Sequence, residues 1–201
     1  MSRFIVMTLS LLVTTTAFAQ ITATVKGGAN LCMENGDAEC NDITPGYSFT
    51  IAPGYKFHPN VGVTLDANFS SFGTDASGEE KINSPDGSFM SFIPMLHAYI
   101  ATPSVHVSVG AGVGYSKLAF DLGFISVDAS TFVAVKGSVA VLYPVKPNLG
   151  IGLAADYTHN GRVEFCVANA DPAVPAYARE HCDAEDMISQ LQVGLVATYT
   201  F

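Results

Sequence analysis

From Gln20 to Phe201, apolar and polar residues alternate one by one over stretches of ten or more, separated by polar loops or short proline turns. In the last stretch the odd positions are Met187, Ser189, Leu191, Val193, Leu195, Ala197, Tyr199 and Phe201. The even positions are Ile188, Gln190, Gln192, Gly194, Val196, Thr198 and Thr200. A period of two places one set on each face of a strand, whereas a helix needs a period of 3.6. The same split opposes Val61, Val63, Leu65, Ala67 and Phe69 to Gly62, Thr64, Asp66, Asn68 and Ser70. It recurs around Val109 and Leu153, and predicts eight strands over about 21–33, 47–57, 61–73, 88–101, 105–120, 131–145, 149–165 and 187–201.

Eight is even, so an up-and-down sheet can close with its first and last strands antiparallel. Each segment has the ~9–11 residues that a tilted strand needs to cross a bilayer. The apolar face is Val, Leu, Ile, Ala and aromatics with almost no charge. The opposite face is Gly, Ser, Thr and Asn with a few charges. A soluble barrel would carry Lys and Glu on its outside; here the polar face suits a narrow lumen and the apolar face suits lipid. The expected fold is therefore all-β: an eight-stranded antiparallel up-and-down transmembrane barrel.

Composition sharpens this reading. Of 201 residues, 49% are hydrophobic and 13% charged, against about 25% charged in ordinary soluble domains. The formal charge of −9 argues against nucleic acid, whose phosphates require a basic face. Residues 1–19 read as a secretory signal peptide: Arg3, an apolar Phe4–Val13 stretch, then Ala17-Phe18-Ala19 as a cleavage pattern. The mature domain is then 20–201, with 18 acidic and 8 basic side chains.

Pro59, Pro103 and Pro147 lie 44 residues apart, each four residues after a tyrosine, Tyr55, Tyr99 or Tyr143. A strand–turn–strand–loop unit repeats. Short turns at one end and long loops at the other, about 34–46, 74–87, 121–130 and 166–186, are the asymmetry of outer-membrane barrels, with the turns periplasmic. The three tyrosines are then expected in an aromatic girdle facing lipid. Segment 88–101 is ambiguous: Met90, Phe92, Leu96, Ala98 and Ile100 are apolar, but so are Ile93 and Met95. Apolarity favours even residues outward, whereas comparison with the other two turns favours odd residues outward. The turn comparison is followed here, and the side of His97 stays open.

With its signal peptide, proline turns and closing Val193-x-Leu195-x-Ala197-x-Tyr199-x-Phe201, the chain resembles the small eight-stranded outer-membrane proteins of Gram-negative bacteria. That group includes the OmpA transmembrane domain, OmpX, the opacity proteins and the OmpW family. The resemblance implies a multi-pass protein of the bacterial outer membrane, in contact with the bilayer and lipopolysaccharide. It also implies that Tyr199 and Phe201 are a terminal signal read by the outer-membrane assembly machinery.

Cys32 and Cys40 bracket the first long loop, and Cys166 and Cys182 the fourth. In an exported chain these predict disulfides. Local pairing needs only each loop to close on itself, while cross-loop pairing remains open because the first and last strands adjoin. The spacing lacks the pattern of a metal site, and no cofactor is expected. Acidic residues gather in the loops: Glu34, Asp37, Glu39 and Asp42; Asp75, Glu79, Glu80 and Asp86; then Asp171, Glu180, Asp183, Glu185 and Asp186. They solvate the loops, bridge cations near lipopolysaccharide, or face a basic partner.

On the inward face the pattern places Lys26, Lys56, Asp66, Lys136 and Asp156. Lys136 and Asp156 flank the Pro147 turn at similar distances and can pair. Buried charges persist only when paired and hydrogen-bonded, so a plug holding the barrel rigid is expected over a conducting path. His106 and Ser108 share a face, a spacing similar to that of outer-membrane lipid A deacylases, but they sit at the turn end. His159-Asn160-Gly161 has Gly where Ser is needed. Without a placed nucleophile and base, the expectation is a non-enzymatic barrel that presents loops for envelope structure and for contact with a host or matrix ligand. The alternative is an OmpW-type narrow channel for small or hydrophobic solutes, motivated by Phe72, Phe132, Leu142, Ile188 and Val196 on the inward face.

Overall fold

The computed structural model describes residues 19–34, 40, 43–74, 87–121, 126–168, 180–186 and 188–201. The signal segment and the central parts of the long loops, with Asp37, Glu39, Asp42, Asp75, Glu79, Glu80, Asp86 and Asp171, lie outside the described residues. The strands are β1 (Gln20–Met33), β2 (Ile43–Thr44), β3 (Gly46–His58), β4 (Val61–Thr74), β5 (Gly87–Ala101) and β6 (His106–Asp121). They continue as β7 (Ser126–Lys146), β8 (Leu149–Asn160), β9 (Arg162–Ala168), β10 (Glu180–Asp186) and β11 (Ser189–Thr200).

Eight of these close into one antiparallel barrel in the order β7-β6-β5-β4-β3-β1-β11-β8, with β8 returning to β7. The seam is the β1–β11 ladder, in register from Thr22 opposite Thr200 to Met33 opposite Ser189. Along it Gly28 faces Gly194. A Cβ on Gly28 would collide with the carbonyl of Val193, and one on Gly194 with that of Gly27, so the two strands meet closely because neither has a side chain there. The apolar face is outside: Val25, Ile51, Leu65, Val109, Val139, Leu153 and Leu195 are all exposed around the barrel. The inside is narrow and filled at mid-barrel, as expected where eight strands leave room for side chains alone or for one small ligand.

Two expectations about facing and loop length are corrected. In β5 the even residues Met90, Phe92, Leu96 and Ile100 point outward, while Phe89, Ile93, Met95 and His97 are buried inside. The cause lies in the turns. The turns at Pro59 and Pro147 join strands whose register shifts by a bulge, between Lys56 and His58 and between Pro144 and Lys146. The Pro103 turn has no shift, and Ala101 opposite His106 continues the register of Ile100 opposite Val107. An extra residue on one strand moves its side chains to the other face, so three prolines in equivalent positions sit in two kinds of turn. Tyr99 is thereby turned into the lumen, not the lipid girdle; Tyr55 and Tyr143 face outward as expected. The β5–β6 ladder also skips Ile93 and Pro94, where proline offers no N–H to pair.

The third and fourth loops are shorter than the pattern suggested. Backbone pairing runs past the alternating region, with Asp121 opposite Ser126 on β6 and β7. β9 and β10 form a further hairpin joined to β7. Cross-strand pairing does not require alternation once a strand has left the bilayer, so the signal that marked the spans was silent there.

Cys32 and Cys40 form a disulfide at a separation of eight residues. Cys166 and Cys182 are backbone partners in the β9–β10 register. For a loop this short, chain-entropy arguments give about 2–3 kcal/mol. Cys32→Ala/Cys40→Ala is therefore expected to lower the unfolding free energy of the refolded barrel by that order, read as a lower urea midpoint at unchanged slope. An unchanged midpoint would place the bridge outside the cooperative unit.

Candidate functional site

The polar interior begins with four charged side chains at mid-barrel. Alternation points Lys26 of β1, Asp66 of β4, Lys136 of β7 and Asp156 of β8 inward, and barrel closure brings their tips together. Lys136 Nζ donates to Asp66 Oδ2 at 3.0 Å and lies 2.9 Å from Asp156 Oδ2. Lys26 Nζ donates to both carboxylate oxygens of Asp156, at 2.9 and 2.8 Å, and stands 3.6 Å from Asp66. Two hydroxyls complete the set: Ser138 donates to Asp156 Oδ1 at 2.6 Å, and Thr64 to Asp66 Oδ1 at 2.8 Å. Lys136, Asp66 and Asp156 are each 1–2% exposed. Two ammonium groups offset two carboxylates, so the buried cluster is neutral, with each charge hydrogen-bonded as burial demands.

The Lys136–Asp156 contact joins neighbouring strands and is the one that sequence spacing anticipated. The Asp66–Lys136 pair crosses the lumen between strands three apart in the barrel order, and no sequence signal marks it. Toward the loops comes an amide layer that the sequence reading missed. Asn68 and Gln192 exchange hydrogen bonds at 3.0 and 3.1 Å, Asn68 also donates to Thr50 at 2.7 Å, and Ser70 donates to Gln190 at 2.8 Å. The inward apolar residues pack in clusters, one of which also walls the turn end of the lumen. Ile93, Met95 and Ala134 form one cluster and Ala140, Leu142, Ala154 and Val196 another. Phe72 meets Phe89 edge to face at 5.7 Å. Ile188 is half-buried, and the side chain of Phe132 lies outside the described residues.

Toward the turns the lumen opens into a vestibule of about 460 Å³ that reaches from the charged cluster to Pro59 and Pro147. His97, Tyr99 and Lys56 lie along one wall. His97 Nε2 is 3.0 Å from Thr64 Oγ1, and its ring stacks on Tyr99 at 5.9 Å. Lys56 Nζ sits 4.3 Å over the Tyr99 ring, a cation–π contact. At the same end Tyr199 and Phe201 face outward and meet edge to face at 4.8 Å; Asn148 Nδ2 donates to the Tyr199 hydroxyl at 2.6 Å.

His106 and Ser108 both line the vestibule, but among the described residues no hydrogen bond joins them. His159 Nδ1 lies 3.2 Å from Ser189 Oγ, and Ser189 is fully buried. Among the described residues no group of His, Cys, Asp and Glu is placed to hold a metal.

Solved structures share this architecture at low identity. The chain matches Neisserial surface protein A with TM-score 0.58 and 14% identity, over 91% of this chain and 97% of that one. It matches OprG of Pseudomonas aeruginosa with TM-score 0.56 and 14% identity, over 89% and 95%. It matches Ail of Yersinia pestis, solved with the heparin analogue sucrose octasulfate, with TM-score 0.55 and 16% identity, over 91% and 99%. No curated protein matches the chain in sequence. The family model described as "Outer membrane protein beta-barrel domain" matches residues 5–201. With an apolar exterior, a closed antiparallel barrel and a match over almost its whole length, the chain belongs to the outer-membrane β-barrel domain family of the bacterial outer membrane.

Proposed function

We propose that this protein is a non-enzymatic, non-conducting scaffold that displays disulfide-held acidic loops outside the cell, with a structural role in the envelope. The observation that carries this reading is the neutral Lys26–Asp66–Lys136–Asp156 cluster spanning the lumen at 2.8–3.6 Å. An ion entering would have to break these contacts without water to replace them, and the amide layer stands directly behind. A rigid barrel then serves to hold loops in place.

In this reading residues 1–19 are removed by cleavage near Ala19, Tyr199 and Phe201 present the assembly signal, and the Pro turns lie in the periplasm. Cys166 and Cys182 close a second disulfide across their shared register. The loop charge selects the partner. An anionic sulfated glycan, the ligand class bound in the Ail structure, is repelled by acidic loops. A basic protein surface, or lipopolysaccharide bridged by divalent cations, is attracted.

The second reading, an OmpW-type channel for small or hydrophobic solutes, draws on the vestibule alone, which ends at the charged cluster. Planar-bilayer recording of the refolded mature protein, with Lys136→Ala alongside, separates the two. The expected result is no steady conductance in the wild type and discrete openings in Lys136→Ala. Steady wild-type conductance altered by that substitution would make the lumen the working site. In parallel, shaving the loops by protease is expected to abolish binding of the protein, in vesicles, to matrix proteins; unchanged binding would remove the adhesive reading.

A further inference from the structure

We propose that the vestibule at the turn end of the lumen is a blind binding site for a small organic carboxylate with an apolar body. Its volume of about 460 Å³ is that of a small-ligand pocket, ~300–1,000 Å³. Among the described residues, Lys136, Asp66 and Asp156 meet across its inner end. A separate void beside Gly28, Thr50 and Gln192 measures about 10 Å³, room for one water at most.

The walls specify the ligand. Leu142 and Val196 supply an apolar face, and the stacked His97–Tyr99 pair supplies another. The charged side chains lining the vestibule are Lys26, Lys56, Lys146 and Asp66. Asp66 and Lys26 are already matched within the neutral cluster, so the side-chain surplus is that of Lys56 and Lys146, partly offset by the α-carboxylate of Phe201 at the rim. Lys56 has no acidic partner among the described residues; its Nζ is held over Tyr99 at 4.3 Å. That arrangement favours an anion at the mouth and disfavours a cation. Ammonium groups beside an apolar face suit a compact organic anion whose charged end stays at the mouth while its body is buried. The carboxylate accepts from Lys56 Nζ while the apolar body lies between Leu142, Val196 and the Tyr99 ring.

The site has no part in closing the lumen or displaying loops, so its test is independent of the proposed function. The mature protein, refolded into zwitterionic nanodiscs, is titrated with benzoate while the Leu142 and Val196 methyl signals are followed by NMR. Benzamide serves as the neutral isostere and decanoate as a membrane-partitioning acid. Saturable shifts are expected with the acids, and the tighter of the two tells a free solute from a membrane-derived one. Lys56→Gln is expected to weaken benzoate roughly tenfold, the scale of a lost hydrogen bond to a charged group. Benzamide should bind the wild type as weakly. Leu142→Trp, which fills the vestibule, should abolish the Val196 shifts. Both variants are checked for the heat-dependent gel mobility of a folded barrel. Absence of saturable shifts in the wild type would overturn the site. Equal binding of benzamide, or full affinity in folded Lys56→Gln, would overturn its anion specificity.

Discussion

Lys136→Met is expected to lower the unfolding free energy of the refolded barrel by roughly 3–5 kcal/mol, the range for breaking a buried pair by removing one partner. Methionine keeps the volume and leaves Asp66 and Asp156, each almost fully buried, to share one ammonium. Lys26 lies 2.8 Å from Asp156 but 3.6 Å from Asp66, so Asp66 is the group left poorly matched. The companion Lys136→Met/Asp66→Asn removes one charge of each sign and keeps the Lys26–Asp156 pair. It should recover most of the loss, because neutral replacement of a buried pair is often tolerated. Equilibrium urea unfolding in lipid vesicles, read by circular dichroism, compares the three proteins. If the double variant is as unstable as the single one, the cluster is not the coupled unit described above.

The second large effect is on the outside. Leu195→Arg should cost about 2–4 kcal/mol, the penalty for a cation facing lipid at the bilayer midplane. Leu195 is 66% exposed on the outer face and sits opposite Gly27 and Leu153, one residue along from the level of Lys26. Tyr143→Arg, outward but beside the Pro147 turn, should cost ~0–1 kcal/mol because the interface is within reach. The same unfolding assay reads both. Equal losses at the two sites would contradict a bilayer centred on the charged cluster.

The period-two pattern was legible wherever one face of a strand meets lipid and the other a polar lumen. Leu195 outward beside Val196 inward, and Leu153 outward beside Asp156 inward, follow from residue parity alone. It failed in β5, where lumen-facing Ile93 and Met95 are as apolar as lipid-facing Phe92 and Leu96, so hydropathy had no contrast to report. Turn comparison then misled, because a β-bulge is a property of two paired strands and not of the Tyr-x-x-x-Pro motif that precedes each turn. Tyr99 therefore joins His97 and Lys56 in the vestibule, a grouping that no sequence spacing suggested. The Cys32–Cys40 bridge was visible as spacing in an exported chain. The β9–β10 hairpin was not, because beyond the bilayer pairing puts no demand on alternation.

Residue order alone marked the eight barrel strands, the lipid-facing residues of seven of them, the turn positions and the inward direction of each luminal charge. These are local consequences of a side-chain period of two and of proline's missing N–H. Tertiary structure alone decided which charges meet. Lys136 reaches Asp66 across the lumen, and Asn68 reaches Gln192, only because β1 pairs with β11 and the sheet closes. Distances between strands that are not neighbours depend on the circumference and register of the closed barrel, and those are set by all eight strands together.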